Sequence, residues 1–186
     1  LGFEPGSGWA YSMATDVLGA VSAAVRGKPL GETVEELVTG PLGMTDTGFS
    51  VTDPERLAVA YADATDGAER MRSEHLVPNP GGGGTTLFSP DRIFNPDAYP
   101  SGGGGMASTA PDFMRFLQTL LNDGAPILSP QMTRAALGNR IGEIPHPIPG
   151  HGFSYLGAVV RDPEATDTPI SPGTNHWGGI YGNYWY

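Results

Sequence analysis

The chain has 186 residues, 39% hydrophobic and 16% charged, with 28 Gly, 18 Pro and no Cys. That length suits one domain or two small lobes sharing a core, and the absence of cysteine excludes a disulfide scaffold, thiolate metal sites, a cysteine nucleophile and dithiol redox chemistry. A net charge of −10 with no basic cluster argues against nucleic acid and anionic membrane surfaces as partners, and no apolar run approaches the roughly 20 residues of a membrane span.

Gly and Pro make up about a quarter of the chain, but the apolar residues fall in periodic blocks, which predicts a loop-rich globular protein. Ala14, Val17, Leu18, Val21 and Val25 predict a helix over 12–26, ended by Gly27 and Pro29. A second helix is expected over 32–39, closing at Gly40-Pro41. A third should start at Thr52-Asp53-Pro54, a cap followed by Pro in the first turn, and carry Leu57, Val59, Ala60 and Tyr61. Residues 67–105 read as one long irregular loop, including the glycine runs 81–84 and 102–105. Caps at 108–112 then open a helix with Phe113, Phe116, Leu117, Leu120 and Leu121 on one face until Gly124. Ser129-Pro130 starts a shorter helix reaching Leu137. After a linker with Pro145, Pro147 and Pro149, residues 152–161 and 177–186 read as strands of an antiparallel pair.

Helices first and a sheet last give an α+β order without repeats. The expected division is a mainly helical portion, 1–140, and a strand portion, 141–186. Both ends look cut. Residues 2–9 form a loop running straight into a helix, and the last aromatic strand has no turn or pairing partner after it. The expectation is a piece of a longer protein.

The search for chemistry starts with exclusions. No G-x-S-x-G occurs, since the spacing from Gly152 through Ser154 to Gly157 is one residue too long. Lys28 is the only lysine, and Val25 lies three residues before it, so no Ser-x-x-Lys exists. None of the histidines His75, His146, His151 and His176 has the i, i+4 spacing that puts two imidazoles on one helical face, so no metal site is expected. The glycine runs lack the Gly-Lys-Ser/Thr ending of a phosphate loop, leaving loop flexibility as their reading. Tyr11 remains, at a loop-to-helix junction. A helix start favours phenolate, but a phenol with its reference pKa of about 10 needs an ammonium neighbour before it can act as a base near neutrality. On the residues alone, a half-buried aromatic is the simpler reading.

Longer blocks change that balance. Residues 5–13, PGSGWAYSM, with Val17-Leu18-Gly19 and Arg26-Gly27-Lys28-Pro29, resemble the second motif region of the serine β-lactamase and penicillin-binding-protein-like superfamily, closest to its family VIII carboxylesterases. Residues 40–47, GPLGMTDT, are similar to the segment that follows there. The run 101–112, SGGGGMASTAPD, resembles that family's glycine-rich loop and helix, and His176-Trp177-Gly178-Gly179 its third motif.

The resemblance implies a β-lactamase/transpeptidase-like fold: an antiparallel sheet flanked by helices plus a helical lobe, here incomplete at both ends. It implies covalent acyl transfer, in which a Ser of S-x-x-K attacks an ester or amide while the Lys and the second-motif Tyr move protons. Tyr11 would be that base. Aligned as Trp177-Gly178-Gly179, with His176-Trp177-Gly178 the other register, the third motif would line the site, and the Ile180 amide would donate to the oxyanion. Trp177 would wall a substrate pocket, and reads equally as a core aromatic. Met13 replaces the second motif's usual Asn, and with His176 is a pocket candidate. Met13 and the lack of a third-motif Lys point toward neutral esters and away from β-lactams. No cofactor or metal is implied. The implied partners are a small-molecule ester or β-lactam and an N-terminal segment or second chain carrying S-x-x-K. The expected function is the base-and-strand portion of a short-acyl carboxylesterase, inactive alone. A β-lactamase or D-amino-acid peptidase of the same superfamily, or a non-catalytic binding relative, is the alternative.

Overall fold

A computed structural model describes residues 2–79 and 83–186. Leu1, and Gly81 and Gly82 of the first glycine run, lie outside the described residues. The chain packs as two compact units, Ala14–Phe113 and the combination of Leu1–Met13 with Met114–Tyr186.

The unit Ala14–Phe113 opens with helix α1, Ala14–Arg26, which ends where Gly27 takes a left-handed φ of +63°. Its only buried residue is Gly19, against which the backbone of Gly102 packs. A Cβ on Gly102 would lie 2.6 Å from the Thr15 carbonyl oxygen. Gly102 and Gly103 of the second glycine run therefore form a close-approach surface for α1, because a missing Cβ lets the chain meet the helix. Helix α2, Leu30–Val34, continues into one wider helical turn, Glu35–Thr39, and together they cover the second expected helix. Glu36 accepts from Lys28 and, at 2.6 Å, from Arg26. The hydrogen bond from Lys28 and the two positive charges hold the Glu36 carboxyl below its ordinary range.

The third expected helix is not there. Asp53 caps as read, accepting from the Glu55 amide at 3.0 Å, but the turn stops after Pro54–Arg56 and Leu57 is already extended. Strand β1, Tyr61–Ala64, then pairs with β2, Gly67–Arg70, and β3, His75–Pro78, pairs with β4, Thr85–Phe88. The expected long loop thus contains β2, which pairs back to β1, the strands β3 and β4, and a 3₁₀ turn, Pro90–Phe94. The helix reading failed because Tyr61–Ala64 pairs across strands with Gly67–Arg70, and a local cap does not outweigh such pairing. The hairpins escaped notice because only Ala62 and His75 on them are buried, so no apolar alternation marks them.

Helix α3, Ala110–Leu121, begins as expected, with Thr109 Oγ1 accepting from the Asp112 amide at 3.4 Å. Asp112 is 2% exposed. Its carboxylate accepts from the Asp46 amide at 2.8 Å and the Thr47 hydroxyl at 3.0 Å. Asp46 in turn takes the Arg56 guanidinium through two bonds of 2.6 and 2.8 Å. Beside this network the bridge Gly48↔Ala107 closes the segment 44–48 onto the start of α3.

In the unit of Leu1–Met13 with Met114–Tyr186, α4, Pro130–Leu137, starts where read, with the Ser129 hydroxyl accepting from the Met132 amide. Four strands follow: β5, His151–Phe153; β6, Ala158–Val160; β7, Asn175–Gly178; and β8, Tyr184–Trp185. They form one antiparallel sheet in the order β5-β6-β7-β8. Ala158, Val159 and Val160 of β6 are all buried, which makes this strand the centre of the unit's core. Each of the two expected long strands is instead a hairpin. Ser154 turns the first, and the second turns through 179–183, so the last aromatic run supplies its own pairing partner. Gly157 is required at the first turn, since a Cβ there would lie 2.6 Å from the His176 carbonyl oxygen.

Asp112→Ala removes a buried acceptor from the Asp46 amide and the Thr47 hydroxyl. It should destabilise the protein by about 3 kcal/mol in urea unfolding, with Asp112→Asn, which keeps one acceptor, losing less. Equal stability of wild type and Asp112→Ala would show that the network contributes nothing.

Candidate active site

Trp9 and Tyr11 lie on a segment without regular structure, so backbone pairing does not hold them. Rings do. Tyr11 stacks on Trp177 of β7 with centroids 5.9 Å apart and planes 23° from parallel. Trp177 meets Phe153 of β5 edge-on at 5.2 Å, and Phe153 packs against Trp9 at 5.1 Å. Trp9 then meets His146 at 4.6 Å. Pairs of this geometry contribute about 0.5–1.5 kcal/mol beyond area burial, so the ladder fixes the tyrosine segment to the sheet.

Tyr11 is 72% exposed while its ring lies along Trp177, so it is not the half-buried aromatic that the residues alone suggested. Met13 is equally exposed. Of the third-motif residues, Trp177 and Gly178 are on β7, whereas Gly179 and Ile180 belong to the turn that follows. The Gly179 amide donates to the Asn183 carbonyl at 2.7 Å, and a Cβ on Gly179 would collide with the Asn183 side chain at 2.0 Å. His176, one residue before Trp177, points to the other face of the strand, as alternation requires. It is 6% exposed and bonds the Tyr184 hydroxyl through Nδ1 at 2.5 Å. The structure thus brings Tyr11 to Trp177 and keeps His176 in the interior.

Sequence reasoning missed the residues that hold β7. Ser154, the failed nucleophile candidate, is buried and donates to Asn175 Oδ1 at 2.6 Å while accepting from the Leu156 and Gly157 amides. Asn175 Nδ2 donates to the Leu137 carbonyl at 3.0 Å, tying the end of α4 to the strand that carries Trp177. Asn139 Oδ1 accepts from the Phe153 amide at 3.2 Å. A Ser in a tight hairpin turn and an Asn opening the paired strand were the available signals, but their contacts are non-local. Lys28 is paired with Glu36. Among the described residues, no group of three or more His, Cys, Asp or Glu could hold a metal ion, and no helix is long and apolar enough to cross a membrane.

Behind the ladder, the rings of His151 and His176 meet edge-on at 4.9 Å. Burial lowers the pKa of His146 and of His176, and the neighbouring histidines push the same way. Unfolded, both return to about 6.5, so below that pH the unfolded chain binds more protons than the native one. Stability should therefore fall as the pH drops through 6.5, and level off below the depressed native values. Urea midpoints between pH 7.5 and 5 followed by tryptophan fluorescence test this. The slope should flatten in His176→Gln, and a flat wild-type profile would contradict the assignment.

Comparison with known proteins gives the family. The family model described as Beta-lactamase matches residues 1–186. Esterase EstB of Burkholderia gladioli is 47% identical over 189 residues, covering 100% of this chain and 48% of that protein. EstCE1, described as a hydrolase with promiscuous acyltransferase activity, superposes with a TM-score of 0.86 at 39% identity, over 98% of this chain and 49% of that one. A penicillin-binding protein from Bacillus halodurans shares the fold at a TM-score of 0.64 and 23% identity, over 95% of this chain and 45% of that one. The chain spans about half the length of these relatives. On the family match and the identity to EstB, with the antiparallel sheet and helices already described, the chain belongs to the β-lactamase family, in the serine β-lactamase and penicillin-binding-protein-like superfamily near the family VIII esterases.

Proposed function

We propose that this chain is the base-and-strand portion of a serine carboxylesterase acting on short-acyl esters. The observation that carries the proposal is the exposed Tyr11 phenol lying along Trp177, which joins the second and third motifs on one side of the sheet. The likeness to the esterase EstB and to the hydrolase EstCE1, with the family match, supports the reaction class.

In this reading the nucleophile is a Ser of an S-x-x-K segment outside these 186 residues. Its hydroxyl attacks the ester carbonyl, and Tyr11 takes the hydroxyl proton, its phenolate favoured by the dyad ammonium. The tetrahedral oxyanion receives hydrogen bonds from the nucleophile's own amide and from the Ile180 amide, in the turn after β7. Gly178 and Gly179 keep side chains away from the ligand's path, and Trp177 walls the pocket with Met13 at its rim. Collapse expels the alcohol, which takes a proton back from Tyr11. Water then attacks the acyl-enzyme by the same proton route and releases the acid. Within this proposal, residues 141–186 are the strands of the α/β portion and residues 1–140 the mainly helical portion.

The test is a chimera in which this chain replaces the matched half of EstB. It should hydrolyse p-nitrophenyl butyrate, while the 186-residue chain alone should not. Tyr11→Phe keeps the stacked ring and removes the proton acceptor, so kcat should fall by about 100-fold or more with KM little changed. An unchanged kcat takes Tyr11 out of the mechanism, and turnover by the chain alone refutes the external nucleophile. Nitrocefin turnover exceeding ester turnover would favour a β-lactamase instead.

A further inference from the structure

An Asp-Gly pair is prone to rearrange its own backbone, because a glycine amide has no Cβ to obstruct its approach to the aspartate carboxyl. The sequence contains the pair twice, as Asp66-Gly67 and Asp123-Gly124. The structure gives the two opposite surroundings.

Gly124 is buried. Its amide donates to the Thr119 carbonyl at 2.8 Å, and its carbonyl accepts from the Ile127 and Leu128 amides. Thr133, 2% exposed, donates to the Asp123 carbonyl at 3.1 Å. A Cβ on Gly124 would lie 1.9 Å from Thr133 Oγ1, so Thr133 closes off that side of the glycine. Asp66-Gly67 is the reverse. The register Ala64↔Gly67 leaves Thr65 and Asp66 as the two-residue turn between β1 and β2. Asp66 and Gly67 are exposed, and nothing lies within 4 Å of the place a Gly67 Cβ would take. Among the described residues, no side-chain partner holds the Asp66 carboxyl. The two strands form a sheet by themselves, with only Ala62 buried. A hairpin with so little burial is marginal, and its end opens at almost no cost. Opening the closing pair Ala64↔Gly67 is enough to free the Gly67 amide.

We propose that Asp66 is a site of spontaneous modification, at which the Gly67 amide nitrogen attacks Asp66 Cγ and closes a five-membered succinimide. The bond formed is N–Cγ. The bond broken is Cγ–OH of the acid form, and the hydroxyl leaves with the amide hydrogen as water. Water then opens the ring at either carbonyl. Opening at Cγ restores aspartate. Opening at the α-carbonyl gives isoaspartate, with the main chain running through Cγ and the α-carboxylate left as the side group. The extra methylene lengthens a turn whose residue count fixes the register, so the modified β1–β2 pair loses its closing contact. The freed α-carboxylate is the group that a carboxyl methyltransferase acting on isoaspartate would take. Nothing in this inference depends on ester chemistry.

The test keeps the whole chain in warm, mildly acidic ¹⁸O-water and then digests it with trypsin in ordinary water. Peptides 57–70 and 116–134 each contain one of the two pairs. Every ring opening introduces ¹⁸O, and electron-transfer fragmentation locates the isoaspartate. In the folded chain, label should enter Asp66 at least about 10-fold faster than Asp123. In urea, which removes both environments, the two rates should agree within about 3-fold. Comparable rates at the two sites in the folded chain overturn the proposal, and so does a ratio that urea leaves unchanged. Asp66→Glu would need a six-membered ring, which closes far more slowly, and should abolish labelling of 57–70. Label entering that variant at the wild-type rate places the reaction at Asp63 and overturns the proposal.

Discussion

The placement of Tyr11 depends on aromatic stacking. The segment that carries it has no strand partner, so Trp177, Phe153, Trp9 and His146 do the work that ladder hydrogen bonds do elsewhere. Removing one ring from such a ladder leaves its neighbours without lateral support, which makes the contacts interdependent. Beneath them, Ser154 and Asn175 fix the hairpin turn and the start of β7 through buried hydrogen bonds. A serine that cannot be a nucleophile therefore supports the strand on which substrate recognition is proposed to take place.

Glycine serves the two units in one way at two positions. At Gly102 it admits the backbone to α1, and at Gly157 it admits the first hairpin turn to the carbonyl of His176. Neither residue has a positive φ, so the requirement is close approach rather than an unusual backbone conformation. Composition shows abundant glycine but cannot distinguish these uses from flexibility.

The histidines illustrate the difference between residue type and environment. His176 stands beside the motif tryptophan in sequence but is on the opposite face of β7, buried against His151 and bonded to Tyr184. Its chemistry is that of a neutral interior imidazole, because desolvation disfavours the charged form. Proximity along a strand is therefore misleading by one residue, the period at which side chains change faces.

The amino-acid sequence determined the superfamily, α1, α3 and α4, the caps at Thr109 and Ser129, the absence of a Ser-x-x-Lys pair, and the tyrosine and tryptophan motifs. These rest on local spacing or contiguous motifs, which survive without knowledge of contacts. Only the tertiary structure decided that 61–64 pairs with 67–70 and 75–78 with 85–88, that the final aromatic run doubles back, that Ser154 is a turn residue and that α1 presents its aliphatic face outward. Each of those outcomes is set by partners distant in the chain: a cross-strand register, a glycine that meets a carbonyl, or a small face that fits a backbone. Periodicity reveals that a helix has two faces, while the contacts alone select which one is buried.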